Sequence, residues 1–313
     1  DFFFAAIEKY DIFHFSNKGG MTFGGVVNQF MNDYSPLNEI EILKDRGKII
    51  VYSNNGCLDG VSQTSFSQWG PYNTCNICAW QDKPEVCSDE ANLKWGKFRN
   101  EMADYQCTLG GNRKDYNDDP RVHEVPEFYC LDSNIWTPDL IIPYKYRLKK
   151  NNYVKIFHSI GNKKLRTRDD GKDIKCSHIY KPLFEELKSE GYNIETISVT
   201  DMKNKQIRFI QDQCDIFVEM LTFGFFGANI REAMMLGKTC VCFLRPEWLE
   251  SMRKEIPEYV DELPVVSATP ETIKQVLIEL IEDPERRHEL GKRGRKFALK
   301  WHSAVAGAKR MDN

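Results

Sequence analysis

Between Cys214 and Phe243 the chain reads CDIFVEMLTFGFFGANIREAMMLGKTCVCF. Asp215 precedes an apolar run, Ile216-Phe217-Val218. A loop follows from Met220 to Gly227, with Gly224 and Gly227 spaced as GxxG. ANIREAMML then supplies good helix formers without proline, and Gly237 closes it. After Lys238 a second apolar run extends from Cys240 to Leu244. Strand, glycine loop, helix, glycine stop and strand make the grammar of a βαβ unit, so an α/β domain is expected. Glycine permits close backbone approach at the loop–helix junction. There the first N–H groups of the helix and its positive end favour a phosphate. Glu232 falls about one and a half turns into this helix and faces the same mouth.

Working outward, 313 residues suffice for two domains with separate cores. A net charge of −3 gives no reason to expect nucleic acid or an anionic membrane as partner. No apolar run approaches the roughly 20 residues that cross a bilayer. The chain starts at Asp1 without a basic-then-apolar leader. Of ten cysteines, four lie between Cys57 and Cys87, and the others are scattered, several inside apolar runs. Scattered buried cysteines read as reduced core residues, which suits the cytoplasm.

The organising stretch resembles the segment ADIxxxQxxxGWYGxxxxEAMAxGKPV of retaining nucleotide-sugar glycosyltransferases of family 4. Gly224, Gly227, Glu232, Ala233, Met234, Gly237 and Lys238 fall in register. The commoner form of that family carries a first glutamate where this chain has Gly224. The resemblance implies the α/β GT-B fold, two Rossmann-like domains with parallel sheets facing a cleft. The expected division is a first, acceptor-side domain over 1–143, a nucleotide-sugar-binding domain over 144–298, and a tail over 299–313 returning to the first. In the first half, Asp11–Phe15 and Lys48–Tyr52 read as strands, separated by the glycine-rich SNKGGMTFGG loop. His14 falls where the family often has histidine, and a satisfied strand-end histidine reads equally well. Family members open with a strand and glycine loop that Asp1–Tyr10 does not supply, so the first domain is expected to be incomplete.

Residues 57–90 form a cysteine-rich insertion. Cys75 and Cys78 make a CxxC knuckle flanked by Cys57 and Cys87. Four thiolates suit a tetrahedral structural zinc site in a segment that buries little apolar surface. Free or disulfide-bonded cysteines are the alternative. Asn92–Tyr105 reads as an amphipathic helix.

In the second half, Tyr153–His158 reads as a strand and is followed by SIGNKKLRTRDDGK. The family has HxPSNRxxKGT here, which places His158, Asn162, Lys163 and Arg166 in its slots. Two cations on this loop would neutralise the charge that grows on a sugar-diphosphate leaving group. The span Ile179–Leu187 reads as a helix, Asn193–Val199 as a strand, and Thr200 as cap of the next helix. Thr269, with Pro270 at the first helical position, reads as the start of another.

The resemblance implies transfer of a sugar from a nucleoside-diphosphate sugar, UDP- or GDP-linked, to an acceptor hydroxyl of a glycan, lipid or protein-linked sugar, with retention and without an obligatory cofactor. Lys163, Arg166 and Glu232 are the candidate catalytic residues. Asn162, Lys163, Arg166, Gly224, Gly227, Ala228 and Glu232 are the candidate donor contacts. A nucleotide-sugar epimerase of the same fold, or a non-catalytic glycan- or partner-binding protein with a degenerate donor site, are the rival readings.

Overall fold

A computed structural model describes residues 2–16, 36–53, 56–57, 60–108, 113–200 and 202–312. The glycines of SNKGGMTFGG lie outside these residues. The chain forms two compact units, 1–69 with 83–125, and 70–82 with 126–313.

The first unit holds α1 (Phe2–Lys9), β1 (Ile12–Phe15), α2 (Pro36–Asp45), β2 (Ile49–Ser53), α3 (Asp89–Met102), β3 (Tyr105–Thr108) and β4 (Val122–Glu124). Its four strands pair in parallel in the order β1-β2-β3-β4. Alternation decides which side chains go inside: Phe13 and Phe15 are buried, as are Ile50 and Tyr52 on the neighbouring strand. They pack with Phe3 and Ile7 of α1, Ile40 and Leu43 of α2, and Trp95 of α3. Helix α3 starts at Ser88, whose hydroxyl accepts from Ala91 N at 3.2 Å, with Asp89 and Glu90 in its first turn.

The second unit runs through β5 (Val154–Phe157), α4 (Ser177–Ser189), β6 (Ile194–Ile197), α5 (Asn204–Gln211), β7 (Ile216–Val218), α6 (Ala228–Met235), β8 (Thr239–Cys242), β9 (Val266–Ser267), α7 (Ile273–Glu282), α8 (Pro284–Trp301) and α9 (Ala304–Asp312). Its sheet is parallel, in the order β6-β5-β7-β8-β9. Every residue of β7 and β8 is buried, the continuous apolar pattern of strands covered on both faces. After β5 the chain steps to one side to make β6, then crosses to the other side of β5 to make β7. The loops leaving β5 and β7 therefore diverge, and a crevice opens at their carboxyl ends, where doubly wound sheets take ligands.

Two glycines hold α6 and α8 close together. Gly237 ends α6 at φ +72°, and a Cβ on Gly291 would lie 2.2 Å from Gly237 O.

Several expectations shift. Helix α5 begins at Asn204 after Lys203, so Thr200 does not cap it. Helix α7 begins at Ile273, and Thr269 and Pro270 form the turn before it. Residues 126–143 and 299–313 group with the second unit rather than the first. The tail does meet residues 126–143: Leu131 N donates to His302 O at 2.7 Å and Ala304 N to Leu131 O at 2.8 Å. The region 57–90 is not one module, because 70–82 belongs to the second unit and the rest to the first.

Candidate functional site at the switch point of the second sheet

The crevice between β5 and β7 gathers charge that the core does not need. Lys175 leaves the β5 loop just before α4, and Glu219 follows β7 directly. Their side chains form an ion pair, with Lys175 9% and Glu219 1% exposed. The other carboxylate oxygen of Glu219 accepts from Gly227 N at 2.5 Å, the amide just ahead of α6. A helix N-terminus is an anion seat, and here the chain's own carboxylate occupies it. A Cβ on Gly227 would lie 2.9 Å from Glu219 Oε1 and 3.2 Å from Lys175 Nζ, so glycine is what lets both charges approach the turn. Tyr180 OH donates to Glu219 O at 2.6 Å, fixing the strand end from α4. His158, at the end of β5, is buried with Nε2 2.7 Å from Ser177 Oγ, and burial pushes its pKa down to about 4.

Glu232 is on the second turn of α6 and 4% exposed. One of its oxygens accepts from Asn204 Nδ2 at 2.8 Å and the other from Gln211 Nε2 at 2.9 Å. Burial raises its pKa, opposed by those two hydrogen bonds. Both amides come from α5, so the carboxylate is oriented by the helix that follows β6.

Gly224 answers to a different neighbour. It has φ +110°, and a Cβ there would lie 2.3 Å from Arg245 Nε. Arg245 is fully buried and donates to Thr222 O at 3.2 Å and Phe223 O at 2.9 Å. The first glycine of GxxG makes room for a guanidinium that braces the loop from behind. Asn162 caps a short helix, Lys163–Arg166, accepting from Leu165 N at 3.2 Å. Lys163 and Arg166 are exposed on it, and Ala228 is exposed at the start of α6. The structure thus brings Glu219, Gly227 and Lys175 together and sets Glu232 along the same helix. The cation beside Gly227 is Lys175, which sequence reading did not single out. The signal for Lys175 and Glu219 was weak, since they are 44 residues apart, one a lone charge ahead of a helix and the other a lone charge after a strand.

Cys57 and Cys87 belong to the first unit, and Cys75 and Cys78 to the second. Among the described residues, no group of three or more His, Cys, Asp or Glu is placed to hold a metal ion. Cys87 Sγ instead accepts from Gln63 Nε2 and Asn92 Nδ2, both at 3.7 Å, and Cys78 Sγ from Trp80 N at 3.4 Å. The structural zinc expected at Cys57, Cys75, Cys78 and Cys87 is therefore not supported. In the first unit, His14 Nε2 meets Ser53 Oγ at the ends of β1 and β2.

Residues 179–297, which lie within the second unit, match the family model of glycosyl transferases group 1. No curated protein matches the chain. Among solved structures, Anabaena HepE in complex with UDP is similar at 14% identity and a TM-score of 0.60, covering 99% of this chain and 79% of that one. Sucrose-phosphate synthase from Thermosynechococcus elongatus is similar at 13% identity and a TM-score of 0.57, covering 99% and 74%. The fold is that of GT-B glycosyltransferase structures, with two parallel sheets. Among the described residues, no helix is long and apolar enough to cross a membrane.

Proposed function

We propose that this chain transfers a sugar from a nucleoside-diphosphate sugar to an acceptor hydroxyl, with retention of configuration. The observation that carries the reading is the set of buried charges at the β5–β7 switch point, Lys175, Glu219 and Glu232, grouped along the N-terminal half of one helix. The match of residues 179–297 to glycosyl transferases group 1 supports it. So does the likeness to HepE, whose structures include one in complex with UDP-glucose.

In this reading Glu232, held by Asn204 and Gln211, accepts hydrogen bonds from ribose hydroxyls. Lys175 beside Gly227, with exposed Lys163 and Arg166 on the β5 loop, offsets the negative charge that grows on the diphosphate as the glycosidic C–O bond breaks. The incoming hydroxyl is deprotonated by the leaving phosphate on the same face, so no enzyme nucleophile is required. The acceptor is a glycan-type hydroxyl, and the work is done without an obligatory cofactor.

A second reading is favoured by one observation: Glu219 already takes the Gly227 amide, which fits a donor site turned into a plain binding surface. Thermal melting with UDP, GDP, ADP and TDP separates the two. A nucleotide at about 100 times its Kd stabilises by about 2.7 kcal/mol, a shift of several degrees. Stabilisation by one nucleotide, followed by sugar transfer to an acceptor, supports the transferase; turnover of donor alone points to an epimerase. Glu232→Ala is expected to weaken that nucleotide about tenfold while the protein stays folded. Parent-like binding by the variant would remove Glu232 from the site.

A further inference from the structure

The chain leaves the first unit after Trp69, contributes Gly70–Asp82 to the second, and returns to the first at Lys83. Nothing in a doubly wound sheet requires this excursion, and its contacts fall on the two loops that form the switch-point crevice.

On the β7 loop, Thr74 is 2% exposed and its hydroxyl donates to Thr222 O at 2.9 Å, with Thr222 Oγ1 at 3.3 Å. Thr222 O also receives Arg245, whose guanidinium passes so close to Gly70 that a Cβ there would lie 2.3 Å from Nη1. On the β5 loop, Arg168 donates to Gln81 Oε1 at 2.8 Å and to Cys78 O at 3.4 Å, with Asp82 Oδ2 at 3.6 Å. Ile77 packs against the core of the unit. Between these anchor points the two loops are themselves joined: Leu221 N donates to Cys176 Sγ at 3.4 Å, next to Lys175. The segment is pre-folded for the task, because Asn73 Oδ1 caps its single turn by accepting from Cys75 N at 3.0 Å.

We infer that Gly70–Asp82 is a strap that positions the site: Thr74 fixes the loop carrying Glu219 and Gly227, and Gln81, through Arg168, fixes the loop carrying Lys175. Thr74 and Gln81 are positioning residues and touch no substrate. The inference rests on the reading of this crevice as a nucleotide seat, and it adds a residue set from outside the matched span 179–297. Loops of this kind open locally at small cost when few contacts hold them, so a pair of part-buried hydrogen bonds is enough to set their register.

The test compares the parent chain with Thr74→Val/Gln81→Ala and with Thr74→Ser. Hydrogen exchange in the unliganded proteins is read on peptides covering 159–176 and 219–228. Both peptides are expected to exchange about tenfold faster in the double variant and to be parent-like in Thr74→Ser. Unchanged exchange in either peptide overturns the strap, whatever the nucleotides do. In the same proteins UDP, GDP, ADP and TDP are titrated well below the melting temperature. The nucleotide that binds the parent is expected to bind the double variant about tenfold more weakly, with Thr74→Ser restoring affinity. Equal affinity overturns the positioning role even if exchange has changed. A parent that binds none of the four overturns the nucleotide reading and, with it, this role for the strap.

Discussion

Replacing Lys175 by methionine tests the centre of the site. The substitution keeps most of the side-chain volume and removes the cation. Glu219 is then left 1% exposed, accepting from Gly227 N and in electrostatic reach of the buried Arg231 guanidinium. Removing one member of a buried ion pair costs about 3–5 kcal/mol, because the surviving charge is not solvated and has lost its direct partner. For a unit of this size about 1 kcal/mol moves the midpoint by about 2–4 °C, so Lys175→Met is expected to lower it by about 6–20 °C. Glu219→Gln alone strands the ammonium instead and costs a similar amount. The double variant strands neither, and its amide oxygen still accepts from Gly227 N, so most of the loss is expected to return. The cycle of four proteins, melted by circular dichroism and by urea, should give a coupling of about 2 kcal/mol or more. Additive single effects, or a Lys175→Met midpoint within about 1 °C of the parent, would refute the pairing and the anion seat built on it.

Acid stability depends on two buried histidines. Burial holds His158 at about 4 and His302 at about 3, below the ordinary 6.5. As pH falls from 6.5 to 4, the unfolded chain takes up protons that the folded chain refuses, so stability is full above 6.5 and is lost by about 3 kcal/mol per histidine by pH 4. Urea midpoints across this range should show the slope, and His302→Phe, among Phe226, Phe297 and Tyr259, should flatten it. Gly291→Ala forces a Cβ to within 2.2 Å of Gly237 O and is expected to cost about 3 kcal/mol by melting; a parent-like midpoint would mean that α6 and α8 are not in close contact. Chelator-washed protein is expected to carry less than half an equivalent of zinc, and one full equivalent by elemental analysis would reinstate the cysteine site.

The second unit was largely legible in the sequence, because a parallel strand buried on both faces announces itself as an apolar run bounded by punctuation. Ile216–Val218 and the glycine at 237 each marked an element that the fold contains. The first unit was harder. β3 and β4 are short, and Gln106, Thr108 and Glu124 are buried polar residues that break the apolar signature. The site was half legible. Glu232 and Gly227 lie in the motif, but Lys175 and Glu219 become neighbours only because β5 and β7 are paired, a fact of topology rather than of local spacing. The cysteines are also a matter of topology: they are close along the chain, while Cys57 and Cys87 group with the first unit and Cys75 and Cys78 with the second.

Gly224 and Glu219 shape the same turn from opposite sides. The commoner form of the resembling family has a carboxylate at the position of Gly224. In this chain that position is closed by Arg245, whose Nε would lie 2.3 Å from a Cβ there, and burial pushes the guanidinium pKa down to about 10. A glutamate at 224 would need both a φ of +110°, which side chains rarely adopt, and displacement of that arginine. The carboxylate present is Glu219, at the end of β7, and it reaches the start of α6 from the strand side rather than from the loop. With glycine at 224, the loop is braced from behind by Arg245 and gripped at Thr222 by Thr74. A charge on a strand end is held by the sheet, whereas a charge on a loop is only as fixed as the loop. The negative charge of this turn is therefore held by the sheet, while the loops themselves depend on the contacts at Thr222 and Arg168.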